Sequence, residues 1–474
     1  MDMTAGQVAA ITGGHLELGG PAGSEPAGPG AVNSETPVTS CTLDSRQAGP
    51  GALFVAVAGE RADGHDYAQA AYEAGAALVL ASRPVAVPHV LVPDTLAGLG
   101  LLARAHLQSL RKNLKVIAVT GSVGKTTTKD LLGRLGRALG PTVAARGSFN
   151  NDIGLPLTVL QASPATRVLV LEMGANHVGE IAHLCWIAPP DVGVVLGVAP
   201  AHIGEFGSIE AIAAAKSELP AALGPDATAV LAADDPRVAT MPTTAHLMTF
   251  GASPAARVRL KQSWLDDAGR LTCRILTPQG EVEIASGLIG LHHGVNLLAS
   301  VAGGLALGID LAAICQALAG AGADSPHRMA LTDLPGGLEL LDDAYNSNPA
   351  SADSAMRFLA ARAKATGRRS WAVLGEMLEL GSASEGAHRQ LGVLAAELGL
   401  DRLTVVGTGA KPALSGALDT GMDPRAVQFC EAPPRPSDIR EAEATETIIL
   451  IKGSNGTGLW RLAESLANPE AAPC

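Results

Sequence analysis

Residues 115–139 read KVIAVTGSVGKTTTKDLLGRLGRAL, and this stretch decides the fold. Its first part, Lys115 to Thr120, is a short apolar run rich in β-branched residues, which is typical of a buried strand. A glycine-containing loop follows, and from Lys125 to Leu139 leucines recur at helical spacing. The order strand, loop, helix is the repeating unit of a mostly parallel sheet with helices on both faces.

The same alternation continues along the chain and predicts an α/β protein of three domains. Strand candidates at 167–171 and 191–198 extend the first sheet, and alternating segments within 256–290 predict a small antiparallel meander. From residue 338 strands and helices alternate again, which predicts a second, Rossmann-like doubly wound unit. The predicted domains are a small N-terminal α/β domain (1–93), a central domain with the parallel sheet and the meander (94–324), and the C-terminal Rossmann-like domain (325–474).

Length and composition limit what the chain can be. At about 150 residues per domain, 474 residues agree with three domains. A hydrophobic content of 47% supplies several buried cores and excludes an intrinsically disordered chain. The formal charge of −12 argues against sequence-independent binding to DNA or RNA, because such binding depends on Lys and Arg side chains that neutralise phosphates. We therefore expect no nucleic-acid partner.

Cysteine spacing and hydropathy indicate the cellular compartment in which the protein is expected. The six cysteines are scattered without a C-x-x-C pair, which argues against a disulfide framework and a zinc ribbon. No basic segment leading into an apolar one is visible at residues 1–4, so no secretory signal is predicted. The longest apolar stretch, 297–309, falls short of the roughly 20 residues that a bilayer span needs. We expect a cytoplasmic monomer without membrane insertion.

The loop in the opening stretch has the residues of a phosphate-binding loop (P-loop). Its glycines let backbone N–H groups point at phosphate oxygens, and the N-terminus of the next helix adds a favourable dipole. Lys125 can neutralise β- and γ-phosphate charge, and the Thr126 hydroxyl can bind Mg²⁺. Val119 replaces the first glycine of the general G-x-x-x-x-G-K-[ST] pattern, so the loop is tighter. The predicted nucleotide-binding residues are Gly121, Ser122, Val123, Gly124, Lys125, Thr126 and Thr127.

Two more polar side chains follow predicted strands of the same sheet. Glu172 ends one apolar run, and His202 comes after the strand candidate 191–198. Because the carboxyl ends of parallel strands meet at one sheet edge, both should lie beside the P-loop. Glu172 is a candidate Mg²⁺ ligand, and the alternative is a helix cap or a partner of a nearby Arg. His202 is a candidate metal or phosphate contact, and the alternative is a packed histidine. For Lys216, the neighbouring residues alone predict a side chain on the solvated face of a helix.

Further motifs occur in an order that resembles one family, the Mur ligases, which are ATP-dependent amide-bond-forming enzymes of peptidoglycan precursor synthesis. The resemblance extends over nearly the whole chain. Besides the P-loop, the matching segments are FNNDIGLP (149–156), EMGANH (172–177), His202, AKSE (215–218), His292 with Asn296, Arg328, DDAYNSNP (342–349) and KGS (452–454). Segments 172–177 and 342–349, with Asp44-Ser45-Arg46, Gly59 and Asp63-Gly64-His65, are most similar to the family member that uses D-alanyl-D-alanine.

The resemblance implies an ATP-dependent ligase that joins D-alanyl-D-alanine to a UDP-N-acetylmuramoyl-tripeptide (UDP-MurNAc-tripeptide). ATP would phosphorylate the terminal carboxylate of the tripeptide. The amine of D-alanyl-D-alanine would then attack the acyl phosphate, giving the amide, ADP and phosphate. Such an enzyme neutralises charge and positions its reactants, as other phosphoryl-transfer enzymes do.

The resemblance also implies roles for single residues. Lys125, Lys216 and His202 would be catalytic, and two Mg²⁺ ions would be bound by Thr126 and Glu172 and by Lys216 with His202. Lys216 would be carbamylated by CO₂, because a carbamate supplies anionic oxygens to a hard cation. Nucleotide contacts are expected from Asn296, Arg328 and Asp343, and substrate contacts from Ser45, Arg46, Asn151 and Asn346. Asn151 has an alternative role as a local backbone cap, since asparagines often bond nearby backbone.

Two alternatives remain open from the sequence. The first is another ligase of this superfamily, such as the tripeptide-forming Mur ligase or a folylpolyglutamate synthase, which would share the ATP site and differ in the outer domains. The second is a P-loop switch or transport accessory protein, which would hydrolyse ATP without an amine acceptor. A switch has no evident use for a second doubly wound domain, so the ligase is the favoured prediction.

Overall fold

The computed structural model describes residues 1–18, 32–59, 62–200, 203–442 and 446–468. Within these ranges the chain forms three α/β domains, each with its own sheet. This is the predicted fold class. None of the helices in these ranges combines the length and the apolar character that a bilayer crossing requires.

In its described residues, the N-terminal domain has a five-stranded sheet and two short α-helices. Its elements are β1 (Met3–Thr4), α1 (Ala5–Thr12), β2 (His15–Glu17), β3 (Pro37–Val38), β4 (Ser40–Thr42), β5 (Ala52–Val55), α2 (Ala68–Glu73), β6 (Ala76–Ala81) and β7 (His89–Leu91). The sheet order is β2-β7-β6-β5-β4, parallel except for β2 at the edge. β1 pairs with β3 separately. Helix α1 begins with a capping box between Thr4 and Gln7 and ends at Gly13.

The central domain contains a nine-stranded sheet. Its elements are α3 (Thr95–Leu110), β8 (Lys115–Thr120), α4 (Lys125–Gly136), β9 (Thr142–Ala144), α5 (Gly154–Leu160), β10 (Val168–Glu172), α6 (Glu180–Ile187), β11 (Val192–Val195), α7 (Ile203–Phe206), α8 (Ile209–Ala221), β12 (Thr228–Ala232), α9 (Pro236–Ala239), β13 (His246–Gly251), β14 (Val258–Leu265), β15 (Arg270–Thr277), β16 (Gly280–Ile289), α10 (Gly294–Ala306) and α11 (Leu311–Leu318). The strand order is β16-β15-β14-β13-β12-β11-β8-β10-β9.

The predicted meander is the continuation of this sheet. Strands from β9 to β14 run parallel, whereas β14, β15 and β16 pair antiparallel at one end. Strand β8 lies between β10 and β11, and all three are buried. The carboxyl ends of these three strands therefore meet beside the loop that follows β8.

The C-terminal domain is a six-stranded sheet, parallel apart from its first strand. Its elements are β17 (Ala330–Asp333), β18 (Leu338–Asp342), α12 (Pro349–Thr366), β19 (Arg369–Leu374), α13 (Ser384–Glu397), β20 (Arg402–Val406), α14 (Pro412–Asp419), β21 (Val427–Cys430), α15 (Pro436–Ala442), β22 (Thr447–Lys452) and α16 (Leu459–Ala467). The order is β17-β18-β22-β19-β20-β21, with β17 antiparallel to β18. Helices α12, α13 and α14 pack on one face, and α16 covers the other.

The hydrophobic cores show how the domains are joined. One continuous apolar cluster includes residues of both the N-terminal and the central domain, such as Leu80, Leu99 and Val116. The C-terminal domain has two clusters of its own, one on each face of its sheet. The first two domains thus form one packed body. The limits 93/94 and 324/325 stay our proposal for the domain boundaries.

Candidate active site between the central and C-terminal domains

The P-loop joins β8 to α4 and takes a shape that requires glycine. Gly124 has φ +83°, and a Cβ there would lie 2.2 Å from Asn296 Oδ1. Gly121 has φ +152°, and its Cβ would lie 2.9 Å from Leu196 Cβ. Lys125 folds back over the loop, since its Nζ donates to Gly121 O over 2.7 Å. The two glycines therefore allow the bend that exposes the loop's N–H groups to a ligand.

Lys125 is largely shielded from solvent and is influenced by one anionic and one cationic side chain. Burial lowers the pKa of its ammonium, the carboxylate of Glu172 opposes this shift, and the guanidinium of Arg328 adds to it. The destabilised positive charge favours an anionic ligand, because a phosphate beside the ammonium would offset the desolvation.

Glu172 ends β10 and is buried beside the P-loop. Its Oε1 accepts a hydrogen bond of 2.8 Å from Asn150 Nδ2. Among the described residues, Oε2 has no hydrogen-bond partner. A buried carboxylate oxygen without a partner is unfavourable and suits a hard cation such as Mg²⁺. The residues therefore fit the predicted metal, with the Thr126 hydroxyl as the second protein ligand.

Arg328 brings the linker before the C-terminal domain to the P-loop. Its Nη2 donates to Thr126 Oγ1 over 3.0 Å and to Ser148 Oγ over 3.3 Å, and its guanidinium lies 4.2 Å from the ring centre of Tyr345. The residues on both sides, His327 and Met329, have φ of 58° and 51°. Non-glycine residues rarely adopt this left-handed backbone, and such strain occurs mainly where a side chain is held for function.

A first cavity of about 320 Å³ lies between the P-loop and the C-terminal domain. It brings together most of the residues predicted to bind the nucleotide and the metal. The predicted residues in its lining are Ser122, Val123, Gly124, Lys125, Thr126, Thr127, Glu172, Asn296, Arg328, Asp343 and Asn346. Asn296 Oδ1 is buried and has no hydrogen-bond partner within the described ranges, so it can accept from a ligand amine.

A second cavity of about 230 Å³ adjoins the first. Ser122, Lys125 and Asn150 line both cavities. The rest of the second lining includes the predicted residues and several others: Gly121, Asn151, Lys216, Gly174, Ala175, Asn176, Glu180 and Glu379. Glu379 belongs to the C-terminal domain, and its carbonyl oxygen accepts from Gly204 N over 3.1 Å. Two ligands in the two cavities would therefore meet at Lys125.

Lys216 is buried, so the solvated helix face that the residues alone favoured is wrong. Burial is the main cause that lowers the pKa of its ammonium to about 7; the charge of Lys125 contributes to the shift, and Glu218 and Glu180 oppose it. Its Nζ lies 5.8 Å from the ring centre of Phe206. A lysine with this pKa is about half neutral at pH 7, and the neutral amine is the form that reacts with CO₂.

Asp343 and Asn346 lie at the C-terminal wall of the first cavity. Lys452 Nζ donates to Asp343 Oδ2 over 2.6 Å and to Asn346 O over 3.0 Å. Asp343 Oδ1 also accepts from Met329 N over 3.2 Å. Asp343 thus holds the linker beside Arg328, and a direct nucleotide contact by Asp343 stays a prediction.

The remaining predicted residues lie elsewhere or have other contacts. Arg46 pairs with Asp44, its side chain is 88% exposed, and neither Ser45 nor Arg46 lines the two cavities. Asn151 Oδ1 accepts from Gly154 N over 2.9 Å, so this side chain bonds local backbone, the alternative left open above. His202 lies outside the described residues.

Some residues of the site carried no signal in the sequence. Lys129 and Asp130 in α4 are buried, although their sequence neighbourhood resembles a solvated helix turn. Ser148 contacts both Thr126 and Arg328, and Glu379 reaches the second cavity from another domain. Only tertiary packing places these four side chains, so spacing along the chain does not reveal them.

The chain matches three known family models. They are described as the Mur ligase middle domain (residues 119–304), the Mur ligase glutamate ligase domain (327–455) and the Mur ligase family catalytic domain (37–107). The chain is also 40% identical to a UDP-N-acetylmuramoyl-tripeptide--D-alanyl-D-alanine ligase of Mycobacterium tuberculosis (strain ATCC 25618 / H37Rv), over 90% of this chain and 91% of that protein. The chain belongs to the Mur ligase family.

Solved structures of Mur ligases are similar over nearly the full length. The crystal structure I of MurF from Acinetobacter baumannii has a TM-score of 0.83 and 30% identity, covering 98% of this chain and 99% of that one. The MurF ligase from Thermotoga maritima in complex with ADP has a TM-score of 0.76 and 29% identity, covering 91% and 97%. In this Mur ligase the first cavity lies between the parts matched by the middle-domain and glutamate-ligase models.

Proposed function

We propose that this Mur ligase uses ATP to add D-alanyl-D-alanine to a UDP-MurNAc-tripeptide in peptidoglycan precursor synthesis. The observation that carries the proposal is that Lys125 lines both cavities, one suited to a nucleotide and one to the group that it phosphorylates. Relatives named for this reaction, at 40% identity in Mycobacterium tuberculosis and 33% in Escherichia coli (strain K12), support the choice of substrates.

The reaction has two steps that the two cavities would serve. The terminal carboxylate of the tripeptide attacks the γ-phosphorus of ATP, and ADP leaves. The amine of D-alanyl-D-alanine then attacks the acyl carbon, phosphate leaves, and the amine loses a proton. Lys125, between the cavities, would hold the transferred phosphoryl group in both steps.

Thr126 and Glu172 would hold one Mg²⁺ ion beside the phosphates. When bound, Mg²⁺ neutralises charge on the phosphate oxygens. Lys216, carbamylated, would hold a second Mg²⁺ with His202. Support for this comes from the burial of Lys216 and its place in the second cavity, together with Glu180.

The three domains would share the binding of the nucleotide and the substrates. Asn296, Arg328 and Asp343 would contact the nucleotide, and Asn346 and Asn151 the substrates. The N-terminal domain would hold the UDP-sugar through Ser45 and Arg46. Support for this division is the fold of the described residues into three domains, with both cavities beside the C-terminal edge of the central sheet. The monomeric state and the cytoplasmic location stay predictions.

The test is phosphate release from ATP with UDP-MurNAc-tripeptide and one acceptor at a time. We expect release with D-alanyl-D-alanine and formation of the pentapeptide product, and only background release without an acceptor. Release with meso-diaminopimelate, lysine or glutamate but not with D-alanyl-D-alanine would indicate another ligase of the superfamily. Acceptor-independent hydrolysis that persists in a Lys216→Ala variant would indicate a switch protein.

A further inference from the structure

Helix α4 carries two buried charges one turn after the P-loop. Lys129 is 2% exposed and Asp130 is 7% exposed, and Lys129 Nζ lies 2.7 Å from Asp130 Oδ1. The reaction proposed above uses neither side chain. Burying an ion pair is costly, and apolar residues of similar volume often stabilise a fold as well. The pair therefore calls for a role other than stability.

Lys129 fixes the segment that faces the P-loop hydroxyl. Its Nζ donates to Ala145 O over 2.8 Å and to Gly147 O over 3.1 Å. The next residue, Ser148, has its Oγ 3.1 Å from Thr126 Oγ1. Lys129 thus holds the backbone that places Ser148 beside the proposed metal ligand.

Asp130 fixes the start of the linker to the C-terminal domain. Its Oδ2 accepts from Ser325 N over 2.8 Å, and its Oδ1 accepts from Ser325 Oγ over 3.2 Å. Lys129 Nζ also donates to Ser325 Oγ over 3.4 Å. Ser325 is itself buried, so water does not compete for these bonds.

The linker returns to the same helix within three residues. Arg328 donates to Thr126 Oγ1 over 3.0 Å and to Ser148 Oγ over 3.3 Å. Thr126 lies three and four residues before Lys129 and Asp130, so all three lie along one side of α4 within about one turn. The segment from Ser325 to Arg328 is therefore attached to α4 at both ends.

We propose that Lys129, Asp130 and Ser325 form a positioning cluster that sets Arg328 against the P-loop. Nucleotide binding at Thr126 and the position of the linker are coupled through this cluster. The three residues touch neither cavity and act through Arg328, so they are positioning residues. The inference rests on the proposed ATP site.

The test is a double-mutant cycle with Arg328, read by calorimetric binding of magnesium and the non-hydrolysable analogue AMP-PCP to the full chain. The first variant, Lys129→Met with Asp130→Asn, removes both charges without leaving one unpaired in the interior. The second, Ser325→Ala, removes only the hydroxyl bonds. Each is measured alone and combined with Arg328→Ala.

We expect the two-site variant to weaken AMP-PCP binding about tenfold, and Ser325→Ala to weaken it about threefold, the scale of lost buried hydrogen bonds. In the Arg328→Ala background both effects should vanish. If the cluster only stabilised the fold, its effect on AMP-PCP affinity would not depend on Arg328. The fold-changes of the single variants would then multiply in the combined variant. Fold-changes in AMP-PCP affinity that multiply in the combined variants would overturn the inference. Unchanged AMP-PCP affinity in a folded two-site variant would also overturn it.

Asp324→Asn is the matched control. Asp324 pairs with Arg134 of α4 across the same junction, but on the surface, where an ion pair contributes about 0–1 kcal/mol. AMP-PCP affinity should stay within about twofold of the unmodified chain. An effect as large as that of the two-site variant would overturn the special role of the buried cluster. No AMP-PCP binding by the unmodified chain would instead overturn the proposed function.

Discussion

Lys452 Nζ and Asp343 Oδ2 lie 2.6 Å apart inside the C-terminal domain, where Lys452 is 1% exposed. Removing one partner of such a pair leaves a buried charge without compensation. We therefore expect Asp343→Asn to lower the free energy of unfolding by about 3–5 kcal/mol. Urea denaturation measures this change. Asp419→Asn, which breaks the exposed pair with Arg389, is the control and should change stability by no more than about 1 kcal/mol.

Gly124→Ala should weaken nucleotide binding. The added Cβ would lie 2.2 Å from Asn296 Oδ1, and alanine disfavours φ +83°. We expect magnesium–ADP affinity to fall about tenfold or more in calorimetry, since strain of 1–3 kcal/mol is typical of such positions. Gly294→Ala is the control, because no atom lies within 4 Å of its Cβ position and its φ is −54°. Equal affinities for the two variants would contradict the geometry given for the P-loop.

Glu172→Gln separates catalysis from stability. Glutamine keeps the acceptor for Asn150 but removes the charge that a magnesium ion needs. We expect phosphate release to slow by about 100-fold or more, because the metal supplies several kcal/mol of charge stabilisation. The thermal midpoint without nucleotide should not fall, since Oε2 has no partner in the described part of the chain. A lower midpoint with normal turnover would assign Glu172 to the fold alone.

Lys216 should make activity depend on dissolved CO₂. With a pKa of about 7, roughly one-tenth of the amine is neutral at pH 6 and nine-tenths at pH 8. At constant CO₂, bicarbonate should therefore restore phosphate release in CO₂-stripped enzyme more completely at pH 8 than at pH 6. Lys216→Ala should show low activity and no response. Full activity of the stripped enzyme would remove the carbamate from the mechanism.

His327 should make stability fall as pH rises. The hydrogen bond from its Nδ1 to Asp342, over 2.7 Å, raises the pKa of the imidazolium, and Glu464 adds to the shift. The bonded imidazolium contributes stability that is fully present below the unfolded pKa of about 6.5 and is lost as pH rises through the higher folded value. The difference in thermal midpoint between the wild type and His327→Gln should therefore shrink between pH 6 and pH 8. A constant difference would contradict the pairing.

Much of the fold was predictable because its strands are buried on both sides. The runs that became β8, β10 and β22 are short and mostly apolar, and parallel sheets covered by helices produce this pattern. Strand β13 was not predicted, because its first residues are exposed and its apolar residues show no clear period. Its pairing with β12 supplies the hydrogen bonds that define it.

The positions of the P-loop and Glu172 were predictable because a motif and a strand end indicate where a residue lies in the fold as well as its chemical type. Lys216 was assigned to the site only through the family resemblance, since its immediate neighbours resemble a surface helix; the structure shows it buried and lining the second cavity, and its role stays a prediction. Lys129 and Asp130 were not predictable, because their partners Ala145 and Ser325 come close only in the folded chain. The sequence thus indicated the residues that belong to a motif or end a strand, and it missed the residues that join distant segments.

The left-handed backbone on both sides of Arg328 has a consequence for turnover. His327 and Met329 each occupy a conformation that costs about 1–3 kcal/mol and is held by contacts with Asp342 and Asp343. A swing of the C-terminal domain that returned either residue to extended backbone would relieve this cost. Such an opening would also separate Leu265 and Ile289 from the C-terminal core, so the relieved strain would offset part of the free energy of breaking these contacts.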